Sequence, residues 1–332
     1  MEYRNLGNTG LKVSVLSLGT MTFGEDWNIG FGDQAKADHM VDMAMDAGIN
    51  LFDTADVYNN GVSEEMLGKA IKNKRQNLIL STKVLEAMSD DVNDRGLSRF
   101  HIMNSLENSL RRLGTDYIDL YQLHGFDSTT PLEETLRALE DAVKQGKVRY
   151  IGVSNHAAWQ MAKGLGISDK NGWARYATAQ MHYSLINRDL EHEVIPLAQE
   201  EGLGILVWSP LNGGYLTGKY HNNHSPSEGR FANQDSGHFP PIPDIQKADD
   251  IVRKLVEISE NHRTGPAEIA LAWLMNRPGV SSVLIGSRKL EQLESNLKAA
   301  DIKLTQKEME ALHAVSEPRI PYPQWMINMQ GL

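Results

Sequence analysis

Eight short apolar runs, each followed by an amphipathic stretch, in a chain of 332 residues predict an α/β fold, a (β/α)8 TIM barrel. A third observation decides against the competing open sheet. A doubly wound sheet that binds a dinucleotide carries Gly-x-Gly-x-x-Gly after its first strand. Here the first run is followed by Gly19-Thr20-Met21-Thr22-Phe23-Gly24, which does not fit. The predicted barrel strands are Leu16–Gly19, Asn50–Asp53, Leu78–Lys83, Tyr117–Leu123, Tyr150–Val153, Ala177–Gln180, Gly204–Trp208 and Ser282–Ile285. Continuous apolar runs of this length suit strands covered on both faces.

The clearest helical periodicity lies in Gln34–Ala47, Ser63–Lys72, Ser98–Leu113, Leu132–Gln145, Leu190–Glu201, Pro266–Met275 and Leu290–Ala299. Several of these stretches stop at glycine, as at Gly48, Gly114, Gly146 and Gly202. Ahead of the first barrel strand, Tyr3–Leu6 and Leu11–Val13 flank the turn formers Gly7-Asn8-Thr9-Gly10 and predict a β-hairpin. Two segments break the alternation. Residues 211–245 form an extended loop rich in Gly, Asn, Ser and Pro, a length that usually carries function. The tail Glu317–Leu332 holds Pro318, Pro321 and Pro323 and is expected not to be a regular helix. No linker divides the chain, so residues 1–332 read as one domain.

Composition narrows the function. A net charge of −10 argues against nucleic acid or an anionic membrane as partner, so an anionic cofactor must be met by local cations. With no cysteine there is no disulfide framework, thiolate metal site or cysteine nucleophile, which fits a reducing compartment. The N-terminus shows no signal-peptide pattern and no run approaches a membrane span, so a cytoplasmic protein is expected, as monomer or homo-oligomer.

Active sites of such barrels lie at the C-terminal strand ends. There the sequence places Asp53, with Tyr58 five residues on, then Lys83, His124, Ser154-Asn155, Gln180 and Trp208-Ser209-Pro210. These types suit reduction of a carbonyl, whose oxygen gathers negative charge and needs a proton donor. A free tyrosine, with a pKa of about 10, is a weak acid at neutral pH. A neighbouring ammonium is expected to lower that value, and a carboxylate to balance the ammonium. The expected relay is Asp53–Lys83–Tyr58, with Tyr58 as general acid and His124 orienting the carbonyl.

Phe52-Asp53-Thr54-Ala55-Asp56-Val57-Tyr58, Ser63-Glu64-Glu65-Met66-Leu67-Gly68 and Gly146-Lys147-Val148-Arg149-Tyr150-Ile151-Gly152-Val153-Ser154-Asn155 occur in that order. On these blocks the chain resembles the aldo-keto reductases over essentially its full length. The likeness is greatest to the branch with bacterial reductases and potassium-channel β subunits. The resemblance implies that the hairpin plugs the barrel and that Asp53, Tyr58, Lys83 and His124 are the catalytic tetrad. It implies a nicotinamide carboxamide held by Ser154, Asn155 and Gln180, with Trp208 stacked on the ring. It implies a pyrophosphate wrapped by Ser209, Leu211, Gly213, Gly214, Thr217, Gly218 and Lys219. Gly19, Thr20, Met21, Pro210, Arg230 and Gly286 complete the expected cofactor contacts.

Ser287 and Arg288 open a helix after the last strand, where phosphate is favoured. Arg288 can grip a 2′-phosphate through its fork of donors, and Gln292 and Asn296 lie on the same helix face toward the adenine. The cofactor read is therefore NADPH (NADP+), and the substrate a small carbonyl compound. No metal is expected; a metal-dependent hydrolase built on His124 and Asp53 would need further histidines. The alternative function is a nicotinamide-binding regulatory subunit with little turnover.

Trp27, Phe31, Phe126 and Trp325 read as apolar pocket walls. His182 reads as a solvent-facing histidine, and Glu191-His192-Glu193 as part of a polar helix face.

Overall fold

The computed structural model describes residues 1–25, 29–220 and 239–331. Two antiparallel strands, β1 (Tyr3–Asn5) and β2 (Lys12–Ser14), precede eight that close on one another. These are β3 (Leu16–Gly19), β4 (Leu51–Asp53), β5 (Ile79–Val84), β6 (Ile118–Leu123), β7 (Val148–Ser154), β8 (Tyr176–His182), β9 (Gly204–Trp208) and β10 (Val280–Ile285). Each is parallel to its neighbours, and β10 returns to pair with β3, so no edge is left open.

Helices follow as the periodicity predicts: Gln34–Asp46, Val62–Ile71, Arg99–Leu113, Leu132–Lys144, Val194–Glu201, Pro266–Met275 and Leu290–Leu297. Gly48, Gly114, Gly146 and Gly202 all stand at positive φ where helices end. Three further helices, Ala158–Asn171, Ile245–His262 and Gln306–Ser316, lie in stretches whose periodicity was not singled out. The tail departs from expectation, because Gln324–Gln330 is helical. Its prolines all come before the first turn, where a missing N–H costs nothing: Trp325 N donates to Pro321 O (3.1 Å) and Met326 N to Pro323 O (2.9 Å).

The core has two layers. The larger lies between the barrel and its helices. The smaller is inside the barrel, where Leu6 and Val13 of the hairpin pack with Leu51, Ile79, Leu120, Leu206 and Leu284. The hairpin thus plugs the N-terminal mouth. Its turn is built on Gly7, at φ 57°, whose Cβ would stand 2.4 Å from the carbonyl oxygen of Gly202. Asn8 N donates to that same oxygen (2.8 Å). Among the described residues no helix is long and apolar enough to cross a membrane.

Replacing Gly7 with Ala should therefore loosen the plug, costing about 2 kcal/mol or more from the left-handed backbone and the clash together. Thermal melting would read this as a lowered Tm. An unchanged Tm would show that the hairpin shifts without penalty.

Candidate active site

The segment after β4 is guided by β5. Thr54 N donates to Ser81 O (2.9 Å) and Asp56 N to Lys83 O (3.3 Å). The chain then tightens into a turn, Tyr58–Gly61, in which Asn59, Asn60 and Gly61 take φ of 48°, 54° and 90°. Asn59 is buried and its amide donates to Met21 O and Phe23 O, both at 3.1 Å. Ser63 donates to Thr20 O (2.7 Å). These bonds fix the turn against the loop after β3 and swing Tyr58 over the barrel mouth.

There its hydroxyl meets Lys83. The buried Lys83 Nζ donates to Asp53 Oδ2 (2.5 Å), to Thr54 O (2.8 Å) and to Tyr58 Oη (3.2 Å), which uses its three protons. The His124 ring stands edge-on to Tyr58, with centroids 5.6 Å apart at 74°. The four residues named from strand ends are brought together.

A polar layer that the sequence reading did not assign lies beneath them. Asp53 Oδ1 accepts from Ser81 Oγ (2.9 Å), Gln180 Nε2 (2.9 Å) and Gln122 Nε2 (3.2 Å). Gln122 Nε2 also donates to Ser81 Oγ (2.8 Å), and its Oε1 accepts from Thr178 (3.4 Å). The layer is crowded: a Cβ on Gly152 would stand 2.2 Å from Thr178 Oγ1. The signal was available, since Ser81, Gln122 and Thr178 each stand two residues before a rim residue and so point inward with it.

Burial sets the proton affinities. It pushes the Tyr58 phenol above its ordinary value, and the pull of Lys83 in the other direction does not offset it. This corrects the expectation of a lowered tyrosine: burial, which the sequence does not display, outweighs the ammonium. For Lys83, burial works against the charge, but Asp53 and then Tyr58 win and hold the amine above the usual lysine value. His124 is driven down to about 3 by burial and then by Lys83, so it is neutral at neutral pH. Its Nδ1 is buried without a hydrogen-bond partner among the described residues. Asp56 is buried beside this group and pushed well above the usual carboxylate range, by burial first and then by Glu64.

The residues named for a cofactor line the same end. Gly19 and Met21 are half-exposed, whereas Thr20 is buried, its hydroxyl shared between Asp53 O (3.1 Å) and Ser63 Oγ (2.9 Å). Ser154 and Gln180 are buried, and Asn155 is exposed at φ 55°. After Trp208, Ser209 has φ 50° and its hydroxyl accepts from Gly213 N (3.2 Å); Pro210 is buried and Leu211 half-buried. Gly213, Gly214 and Gly218 have φ of 66°, 96° and 84°, Thr217 Oγ1 donates to Gly214 O (2.6 Å), and Lys219 is exposed. Gly286 is exposed and Arg288 half-buried. Gln292 Oε1 accepts from Arg288 N (3.1 Å) and Lys289 N (3.2 Å) and so caps its helix. Asn296 is buried on that helix. Arg230 and Trp27 lie outside the described residues.

A nucleotide fits these segments. Ser287 Oγ, in the loop after β10, is a buried polar atom with no hydrogen-bond partner among the described residues. A Cβ on Gly214 would meet nothing closer than the end of the Lys219 side chain, at 3.7 Å. Backbone N–H groups can thus be approached closely there, beside a cation.

Three smaller readings change. Phe31 is not a pocket wall; it is buried against Phe23, with centroids 5.3 Å apart. His182 does not face solvent freely, because it stacks on Trp208 at 4.6 Å and 26°. Burial lowers its pKa to about 4. Glu191 is not simply on a polar helix face, since it holds the buried Arg188 through two bonds, of 2.8 and 2.9 Å.

The sequence profile of the Aldo/keto reductase family matches residues 15–317. An uncharacterized oxidoreductase of Bacillus subtilis is 39% identical over 327 residues, covering 95% of this chain and 96% of its own. A probable voltage-gated potassium channel subunit beta of Arabidopsis thaliana is 36% identical, over 91% of this chain and 92% of its own. A versiconal hemiacetal acetate reductase of Aspergillus parasiticus is 32% identical, over 97% and 99%. The closed barrel, its hairpin and a match across nearly the whole chain together show that this protein belongs to the aldo/keto reductase family, oxidoreductases of small carbonyl compounds.

Proposed function

We propose that the chain is an NADPH-dependent reductase of aldehydes or ketones in which Tyr58 is the general acid. The supporting observation is the run of contacts from Asp53 through Lys83 Nζ to Tyr58 Oη at the open end of the barrel. The cofactor supplies the hydride when bound; the chain supplies the proton. Tyr58 stays protonated at neutral pH because burial raises its pKa, so the acid is loaded before each turnover. Lys83 keeps its charge because Asp53 balances it. The ammonium then stabilises the phenolate that remains once Tyr58 has given up its proton. Neutral His124, edge-on to Tyr58, is placed to donate a hydrogen bond to the substrate oxygen.

Ser154, Asn155, Gln180 and Trp208 would hold the nicotinamide end. Residues Ser209–Lys219 would hold the pyrophosphate, and Ser287 with Arg288 the 2′-phosphate. A second reading, a nicotinamide-binding regulatory subunit, draws on the likeness to the Arabidopsis channel subunit. Turnover of NADPH with a panel of reactive aldehydes separates the two; bound NADPH without turnover would favour the subunit.

Tyr58→Phe should lower kcat by about 10²-fold or more while the Kd for NADPH stays within about threefold. Activity near that of the unaltered protein would place the acid elsewhere. For Arg288→Ala, NADPH should bind about tenfold or more weakly and NADH almost unchanged. Equal losses on both would show that Arg288 does not read the 2′-phosphate.

The reductive reaction needs the phenol, whose raised pKa keeps it protonated beyond its ordinary value. A plot of kcat/KM against pH should therefore be flat from about pH 6 to about pH 9 and fall only above that. A fall through neutral pH would contradict the assignment.

A further inference from the structure

We infer that Asn187 and Asn212 are positioning residues, an amide clasp that fastens the base of the loop after β9 and slows the release of the nucleotide. The inference deepens the proposed reductase function and rests on it. Asn187 Nδ2 donates to Asn212 Oδ1 (2.7 Å) and to the Pro241 carbonyl oxygen (3.1 Å). One amide nitrogen thus holds the chain at both ends of residues 213–240. Asn212 lies within Ser209–Lys219, the segment proposed above for the pyrophosphate.

The two acceptors fix the orientation of the Asn187 amide. Flipped, it would set its oxygen against two others, so both protons of the nitrogen are engaged. The base on which the amide stands is firmly held. Ser184 is buried, Ser184 N donates to Asn187 O (3.1 Å), and Asn187 N donates to Ser184 Oγ (3.1 Å), which closes a tight turn. The next residue, Arg188, is buried and donates to Glu191 (2.8 Å), to Ser316 Oγ (2.8 Å) and to His313 O (3.2 Å).

Asn212 receives from the other side. It is fully buried at φ 48°, a backbone conformation that asparagine adopts more readily than most residues. Its N donates to Ser209 O (2.9 Å), and Gly213 N donates to Ser209 Oγ (3.2 Å). The turn that carries the amide is therefore the one that opens the pyrophosphate segment. The Asn212 side chain also bonds to His182, which stacks on Trp208 at 4.6 Å. The clasp runs from an anchored turn after β8 to the loop after β9 and touches the platform proposed for the nicotinamide. Neither asparagine needs to meet the nucleotide; together they set how readily the loop moves.

The test compares Asn187→Ala, Asn212→Gly and the pair. Alanine removes the amide and keeps both backbone bonds of the turn, and glycine accepts the positive φ. NADPH release, followed by stopped-flow fluorescence on displacement with excess NADP+, should be about tenfold faster in each single variant, with the association rate within about twofold. The double variant should release no more than about twofold faster than the faster single. Unchanged release, or effects that multiply, would overturn the inference.

A second measurement uses protein without nucleotide. Hydrogen exchange over residues 209–219 should be about tenfold faster in Asn187→Ala, and over the hairpin, residues 3–13, unchanged. Equal acceleration in both would mean that Asn187 merely supports the fold, and no acceleration that it fastens no loop; either result would sink the clasp. An unaltered protein that does not bind NADPH would overturn the functional reading instead, and the exchange experiment would still judge the clasp.

Discussion

The site depends on one buried ion pair. Lys83 carries its charge with no solvent exposure, and an ammonium in that position survives only beside a counter-charge. Asp53 supplies it at 2.5 Å, and its other oxygen collects Ser81, Gln122 and Gln180. Ser81, Gln122, Gln180 and, through Gln122, Thr178 are thus directed at holding a single carboxylate. Removing that carboxylate would strand a buried cation, a loss of about 3–5 kcal/mol by the usual cost of breaking such pairs. Because Lys83 also donates to Tyr58, the phenol is anchored by the pair as well as by the turn that carries it.

Burial is the first reason that the electrostatics of the phenol run against simple expectation, and the pair is the second. An ammonium beside a phenol lowers its pKa in water, but here the buried surroundings disfavour a second anion, and the Asp53 carboxylate works in the same direction. In the proposed reaction this is an acid that keeps its proton until a partner oxygen becomes basic enough to take it. Lys83 would then stabilise the anion left behind, which is a different task from making the acid strong.

Much of this was legible in the chain. Asp53, Lys83, His124, Gln180 and Trp208 were found because apolar runs end in them and parallel barrels present their chemistry at that end. Tyr58 was named from the acid that a carbonyl reduction needs and from its block, but nothing in a tyrosine five residues past a strand says that three left-handed residues will turn it back over the mouth. Ser81, Gln122 and Thr178 were overlooked because they sit inside runs that read as uniformly buried strand, where a polar residue is easily taken for filler. The helix Gln324–Gln330 is not legible from its prolines, because Pro318, Pro321 and Pro323 read as breakers yet all precede its first turn. The sign of the tyrosine shift was not legible at all, because burial is a property of the assembled mouth.

Among the described residues, the hairpin closes one end of the barrel. With Leu6 and Val13 packed there, the floor of the vessel is hydrocarbon, and the polar layer of Ser81, Gln122 and Thr178 lies between it and Lys83. In the proposed reaction, substrate, nucleotide and the proton that reloads Tyr58 would then share one opening, so a filled site would delay its own reprotonation.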